Sequence, residues 1–424
     1  MKAHELKQQL AGGALSAYGH LYADPSSAAA RMIEAIDEFV RLYGDERDIA
    51  LFSVPGRSEI SGNHTDHNRG CVLAGAIDRD MIAVAACNED GVIRFHSKGY
   101  NEDVVDLSLI DDPSSVRPFT SRALIAGVAR GFAMADHAIG GYDAYSTTEV
   151  LKGSGLSSSA AFEVMVGNIL NHFYNDATVS NVEIAKIAQF AENVYFGKPC
   201  GLMDQMACAV GGFVYMDFEK EGEPLIEPVA FSLEEAGYTL CIVNTGGNHA
   251  NLNDDYASVP KEMKAVAEAL GRPVLRGLTE ADILAAVPTL RGVTGDRAIL
   301  RALHFVRENA RVGCIRDALK RGDVACFLDG IRMSGRSSFE YLQNVYTTKN
   351  PSEQGLSLAL CATEGLLAEV GGAFRVHGGG FAGTIQAFVP NVHAAAYVRA
   401  MNDIFGEGAV MPLRIRPVGA TRLF

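Results

Sequence analysis

The chain of 424 residues contains no tryptophan, no Cys-x-x-Cys pair, no run of basic residues and no long apolar stretch. Each absence closes off a class of protein. Lys and Arg number 37 against 51 Asp and Glu, a net charge of −14, and nothing clusters the cations. General nucleic-acid binding needs clustered Lys and Arg to neutralise phosphates, so that role is excluded. The eight cysteines (71, 87, 200, 208, 241, 314, 326 and 361) are scattered, which fits small buried hydrophobes in a reducing compartment better than zinc ligands or a disulfide framework. The longest apolar stretches, such as 81–87, fall far short of a membrane span, and no apolar signal core follows Met1-Lys2-Ala3-His4. The expectation is a cytoplasmic globular protein that uses neither membrane nor nucleic acid. Apolar residues at 48% and charged residues at 21% suffice for a substantial core.

Hydrophobic periodicity supplies the outline. Residues 28–43 put Met32, Ile33, Ile36, Phe39 and Val40 on one helical face, and Gly44 stops the helix. The apolar run 49–54 reads as a strand ended by Pro55-Gly56. Strand-like runs follow at 71–87, 92–96 and 104–109, then helical patterns at 120–138, 158–174 and 181–196. The Gly-, Glu- and Pro-bearing stretch 211–230 separates the halves. Beyond it come a strand at 239–244, several helices between 257 and 370, strands at 373–377 and 384–389, and a helix near 391–404. This is an α+β chain of two domains, 1–225 and 226–424, without repeats or tethers.

Three polar, glycine-bearing segments carry the chemistry. The first is Leu151-Lys152-Gly153-Ser154-Gly155-Leu156-Ser157-Ser158-Ser159-Ala160-Ala161, which runs into the helix 158–174. Glycines let backbone bend around a ligand, and a helix start offers free N–H groups and a positive dipole end, so the segment suits a polyphosphate. An N-cap after a glycine-rich turn is the alternative. It is not a Walker loop, because the Gly197-Lys198 pair is followed by Pro199. The second, His377-Gly378-Gly379-Gly380-Phe381-Ala382-Gly383, matches GxGxxG, but a strand rather than a helix follows. It is either a tight turn or a glycine wall against a ligand. The third, Pro55-Gly56-Arg57-Ser58-Glu59-Ile60-Ser61-Gly62-Asn63-His64-Thr65-Asp66-His67-Asn68, is a dense polar run whose donors and acceptors suit a sugar's hydroxyls. The spacing of His64, Asp66 and His67 fits no zinc pattern.

In this order the segments resemble the GHMP kinases and, within them, the galactokinase family. The glycine-serine segment resembles the family's GLSSSA phosphate loop, the polar run its sugar signature, and 377–383 its carboxy-terminal glycine motif. Gly197-Lys198-Pro199-Cys200-Gly201-Leu202-Met203-Asp204-Gln205 is similar to its Cys-Gly-x-Met-Asp-Gln. The resemblance implies a two-domain kinase with its site in the cleft between domains, using ATP and Mg2+ on a monosaccharide, with no specific protein partner. It makes Asp204 and Arg57 catalytic, Asp204 beside the anomeric hydroxyl. Asn63, His64, Asp66, Gly201 and Tyr256 become sugar-binding. Gly153, Ser154, Gly155, Leu156, Ser157, Ser158 and Ser159 would line ATP together with Gly379 and Gly380. Glu192 and Ser159 (or Ser158) would hold Mg2+.

The signature also departs from the family. Asn63 stands for its Glu, His67 for its Tyr, and Arg69 for a usual Gly. By analogy the family's Glu accepts a hydrogen bond from the sugar 6-hydroxyl, whereas an amide both donates and accepts. Arabinose or galacturonate therefore stands beside galactose as a substrate, and a catalytically silent sugar- and ATP-binding regulator is the competing class.

Overall fold

The computed structural model describes residues 1–150, 155–247 and 252–424. The strands among the described residues are β1 (Ala50–Ser61), β2 (Cys71–Cys87), β3 (Val92–Ser97), β4 (Asp103–Asp106), β5 (Tyr142–Thr148), β6 (Phe213–Asp217), β7 (Leu225–Val229), β8 (Tyr238–Asn244), β9 (Ala373–Val376), β10 (Thr384–Pro390), β11 (Val410–Leu413) and β12 (Thr421–Arg422). They form two sheets. The larger has the order β12-β1-β2-β5-β3-β4, with β6 joining the early half of β2 and β7 pairing with β6. The smaller, β11-β8-β10-β9, is antiparallel throughout. A chain with one mixed sheet, one antiparallel sheet and helices in both halves is the α+β fold expected.

The helix expected at 28–43 runs from Pro25 to Tyr43. Asp24 caps it by accepting from the backbone N–H groups of Ser26 and Ser27, and Gly44 ends it at φ 80°. The strand expected at 104–109 ends at Asp106, where Leu107–Leu109 is a 3-10 turn, and β1 does not stop at Pro55-Gly56 as expected. Its register against β2 shifts between Pro55 and Arg57, and the strand continues to Ser61, buried along its whole length. A bulge is where a strand can accommodate a proline, which has no ladder N–H to give. The polar run that begins at Arg57 is therefore sheet first and turn afterwards.

Helices Ser121–Met134, Ser158–Tyr174, Asn181–Phe190 and Met203–Val210 belong with one face of the larger sheet to a single core. Val164, Met165, Ile169, Phe132 and Ile184 are each 0% exposed there. Burying such side chains stabilises the fold by roughly 1.5–3 kcal/mol apiece, and this anchors the start of helix Ser158–Tyr174. The helical pattern 181–196 is α-helical only to Phe190; Ala191–Phe196 is a π-helical turn. Strands β5, β7, β11 and β12 and the amino-terminal helix Ala3–Ala11 are elements that the hydrophobic pattern does not announce. The last of the chain returns to the first sheet, where Arg416, fully buried, donates to Ser53 Oγ (2.7 Å) and Asp80 Oδ2 (3.3 Å). No helix of the described residues is long and apolar enough to cross a membrane.

Candidate active site

The clearest polar constellation is built from β1, the start of helix Met203–Val210 and the start of helix Ser158–Tyr174. Arg57 donates from Nε to Asp204 Oδ1 and from Nη2 to Oδ2, both at 2.7 Å. Its Nη1 donates to the carbonyl of Gly155. Ser157 Oγ donates to Asp204 Oδ2. Fork-to-fork pairing of this kind fixes the carboxylate plane as well as its charge. Desolvation would raise the Asp204 carboxyl, but the Arg57 guanidinium, its hydrogen bonds and Ser157 outweigh it and hold the group below its ordinary value. Asp204 keeps 30% of its side chain exposed, against 10% for Arg57, so the carboxylate can be reached while its cation stays behind it.

The loop reaches the second sheet at the same place. A Cβ on Gly155, whose φ is +72°, would lie 3.3 Å from His377 Nδ1. His377, at the end of β9, meets Ser58 Oγ through Nε2 at 3.2 Å and Thr384 Oγ1 through Nδ1 at 2.8 Å. Burial, with Arg57 and Arg375 nearby, lowers its pKa to about 3, so the ring is a neutral bracket. Leu156 is buried. Ser158 and Ser159 form the first turn of the helix, half-buried. Gly153 and Ser154 lie outside the described residues.

Glu192 sits on the π-helical turn, a local irregularity often kept where function needs a side chain re-aimed. Its Oε1 accepts from Lys198 Nζ (3.1 Å) and its Oε2 from Gln205 Nε2 (2.8 Å). Gln205 also donates to Glu163 Oε2 at 3.0 Å. Glu163 is fully buried, and its Oε1 has no partner among the described residues. Burial, then the neighbouring Glu192, pushes its carboxyl well above the usual range. The two carboxyl groups thus share one amide, and Lys198 pairs with Glu192 alone. A carboxylate and a serine hydroxyl are hard oxygen donors of the kind Mg2+ takes alongside phosphate and water. No group of three or more His, Cys, Asp or Glu that could hold a metal occurs among the described residues, and a Glu–Ser pair completed by phosphate oxygens needs none.

The sugar-signature residues make two sets of contacts. His64 and Tyr256 meet the turn between β9 and β10: His64 Nε2 lies 2.9 Å from Gly379 O, and Tyr256 Oη donates to Gly380 O at 2.8 Å. Burial lowers the His64 pKa to about 4, although the bond to Gly379 opposes it. Asn63 joins them but is 0% exposed, with its amide bonded to Glu59, Gly378 and Asn344. Asp66 and Gly201 meet each other. A Cβ on Gly201 would stand 2.6 Å from Asp66 Oδ2, so only glycine lets the carboxylate approach. Both residues line a cavity of about 570 Å³ shared with Lys186, Gln189 and Phe218. Gly379 and Gly380 pack against the chain itself. Added Cβ atoms would sit 2.7 Å from the Tyr256 ring and 2.0 Å from Asn344 O respectively. The motif therefore reads as a tight turn gripped by sugar-signature residues.

The sequence motifs assign no role to Glu163, Gln205 or Lys198, nor to Glu59, Arg375 and Asn344. Lys198 and Gln205 lie inside a quoted motif, and Glu59 inside the polar run. Arg375 and Asn344 stand in no motif, and only the packing of the second sheet on β1 reveals them.

Comparison with known proteins shows the family of the chain. The GHMP kinases N terminal domain model matches residues 123–212, and the galactokinase galactose-binding signature matches residues 37–87. Galactokinase of Streptomyces coelicolor is 30% identical over 385 residues, covering 89% of this chain and 94% of the relative. Galactokinase of Streptomyces lividans is 30% identical over 366 residues, covering 85% and 87%. In fold, the chain is similar to Lactococcus lactis galactokinase complexed with galactose, with a TM-score of 0.76 at 23% identity over 91% of this chain and 98% of the other. The fold and sequence define a GHMP kinase. Within that class the chain belongs to the galactokinase family, enzymes that move a phosphoryl group from ATP to a sugar.

Proposed function

We propose that this chain transfers the γ-phosphoryl group of ATP to the anomeric 1-hydroxyl of galactose or a close relative, within the cytoplasm. The observation that carries the reading is the two-pronged Arg57–Asp204 pair, tied through Ser157 and Gly155 to the start of helix Ser158–Tyr174. Phosphoryl transfer asks for alignment and charge neutralisation more than covalent chemistry. The residues 155–159 and that helix start hold the phosphates. Asp204 is ionised and therefore a weak base. It orients the sugar hydroxyl and takes its proton late, as the bond to phosphorus forms. Arg57 holds the carboxylate in place and keeps it charged until then. His64, Asp66, Gly201 and Tyr256 hold the sugar. Glu192 and Ser159 would hold Mg2+, which when bound neutralises phosphate charge. Glu163 and Glu192 share one amide, and a buried Glu163 oxygen has no partner among the described residues, which supports a cation at that spot.

The competing reading, a silent sugar- and ATP-binding regulator, is disfavoured by the intact Arg57–Asp204–Ser157 arrangement, which binding alone does not require. The test is ADP release with Mg2+ and ATP across galactose, arabinose, galacturonate, glucose and N-acetylgalactosamine, with Asp204→Asn as control. Turnover of one sugar, lost in the variant while sugar binding persists, is expected. Binding without turnover in the unaltered chain turns the assignment to the regulator.

A further inference from the structure

Glu59, Asn63 and Arg375 form a chain of contacts joining the turn after β1 to the second sheet. Arg375, 0% exposed on β9, donates from Nη1 to Ile60 O (3.0 Å) and from Nη2 to Glu59 Oε1 (3.1 Å). The same oxygen accepts from Asn63 Nδ2 at 3.0 Å, and that nitrogen also donates to Gly378 O at 2.7 Å. At the other end of the amide, Oδ1 accepts from Asn344 Nδ2 (2.7 Å) and Ser338 Oγ (3.4 Å). An asparagine side chain has two N–H donors and two acceptor lone pairs. All four are spent inside the protein.

We propose that Glu59 is a positioning residue for the substrate segment: by fixing the Asn63 amide, it makes position 63 a wall of the sugar site with no hydrogen bond to offer. This rests on the sugar-kinase reading above. A carboxylate only accepts, so it dictates that the NH2 side of the amide faces Glu59 and Gly378 and the oxygen side faces Asn344. Arg375 in turn fixes the carboxylate and supplies its counter-charge. The segment's carboxylate thus stands at 59, behind the amide, where the resemblance expects it at 63 in contact with the sugar. The sugar 6-hydroxyl then goes unread by this residue. Sites built to hydrogen-bond a hydroxyl reject the analogue lacking it by large factors, because their own polar groups are left unpaired. A wall with no unpaired group has no such means of rejection.

The test compares galactose with 6-deoxygalactose, which differ in that hydroxyl alone, on the unaltered chain and on Glu59→Gln. The unaltered chain should show kcat/KM values for the two sugars within about tenfold of each other. Glu59→Gln keeps one oxygen that can face Asn63 and Arg375 but loses the charge that holds Arg375. Its NH2 end lets the side chain turn, so the Asn63 amide is held less firmly. The substitution should raise KM for the sugar severalfold while kcat and the KM for ATP stay within about twofold, a split that simple loss of stability does not produce. A preference for galactose of a hundredfold or more in the unaltered chain overturns the inference without any variant. So does a Glu59→Gln chain that melts earlier with its sugar KM unchanged. A chain that phosphorylates neither sugar, nor any of the wider panel, overturns the kinase reading and this inference with it.

Discussion

Arg57 and Asp204 are 147 residues apart in the chain, yet they share two hydrogen bonds of 2.7 Å, one to each carboxylate oxygen. Neither residue can supply that geometry alone. Arg57 is carried by a strand whose register shifts just before it, and Asp204 by the first turn of a helix packed on that strand's sheet. The consequence is a carboxylate that stays charged despite partial desolvation, with an exposed edge toward which a hydroxyl can point.

Removing the cation should therefore show in the pH profile. In Arg57→Met, desolvation of Asp204 is no longer opposed by the guanidinium, and its pKa rises. Activity that needs the ionised carboxylate has its acidic limb below the ordinary range in the unaltered chain. In the variant the limb moves to higher pH, and turnover falls about 10²–10³-fold as an electrostatic group is lost. The measurement is kcat/KM against pH for both chains. An acidic limb that stays put means that Asp204 is not the group being titrated.

Glu192→Gln tests the cation site. The amide keeps the shape and an acceptor oxygen but loses the charge, and hard divalent cations favour carboxylates. The Mg2+ concentration for half-maximal turnover should rise about tenfold or more, with sugar binding unaffected. Titrating activity and sugar binding against Mg2+ in parallel decides it. An unchanged Mg2+ requirement removes Glu192 from the metal site.

Much of this site is legible in the sequence, and the reason is local. Arg57, the serine loop, Glu192 and Asp204 each lie in a short motif whose residue types state their chemistry, and the helix starting at Ser158 is fixed by its own apolar pattern. The strand end expected at Pro55 fails because proline usually halts pairing, and here a bulge one residue later restores it. Asn63 is the instructive case. Read along the chain it is a free amide, able to meet a sugar. Of the four groups that saturate it only Glu59 is near in sequence; Gly378, Asn344 and Ser338 lie roughly 275–315 residues downstream, and no local pattern reports them.

The glycines of the β9–β10 turn separate two costs. Gly378 and Gly380 both have positive φ, +67° and +81°. Around Gly378 an added methyl meets nothing within 4 Å, whereas at Gly380 it lies 2.0 Å from the carbonyl of Asn344. Gly378→Ala should cost about 1 kcal/mol, the backbone term alone. Gly380→Ala should cost about 2–5 kcal/mol, because overpacking adds to it. Denaturant unfolding of both variants measures the difference. Equal costs would show that Asn344 yields, and that the turn is held less tightly than its contacts indicate.

Glu308 holds the signature turn from below, and its effect has a definite sign with pH. It is fully buried, and its Oε1 accepts from Ser61 Oγ (3.0 Å), the Gly62 N–H (3.0 Å) and Ser334 Oγ (2.5 Å), while Oε2 pairs with Arg311. Burial would raise its pKa, but Arg311, His304 and Arg375 together with Ser334 bring it down from 4.5 to about 2. A depression of that size corresponds to about 3 kcal/mol. A carboxyl depressed on folding contributes in full above its unfolded value of roughly 4.3, and the contribution is lost as pH falls toward the folded value. Glu308→Gln should therefore unfold more easily than the unaltered chain at pH 7, and the gap should shrink steadily between pH 5 and pH 3. Melting curves of the two proteins across that range give the difference directly, since the other carboxylates titrate alike in both. A gap constant with pH would mean that Glu308 acts through shape and hydrogen bonds, with its charge contributing nothing to stability.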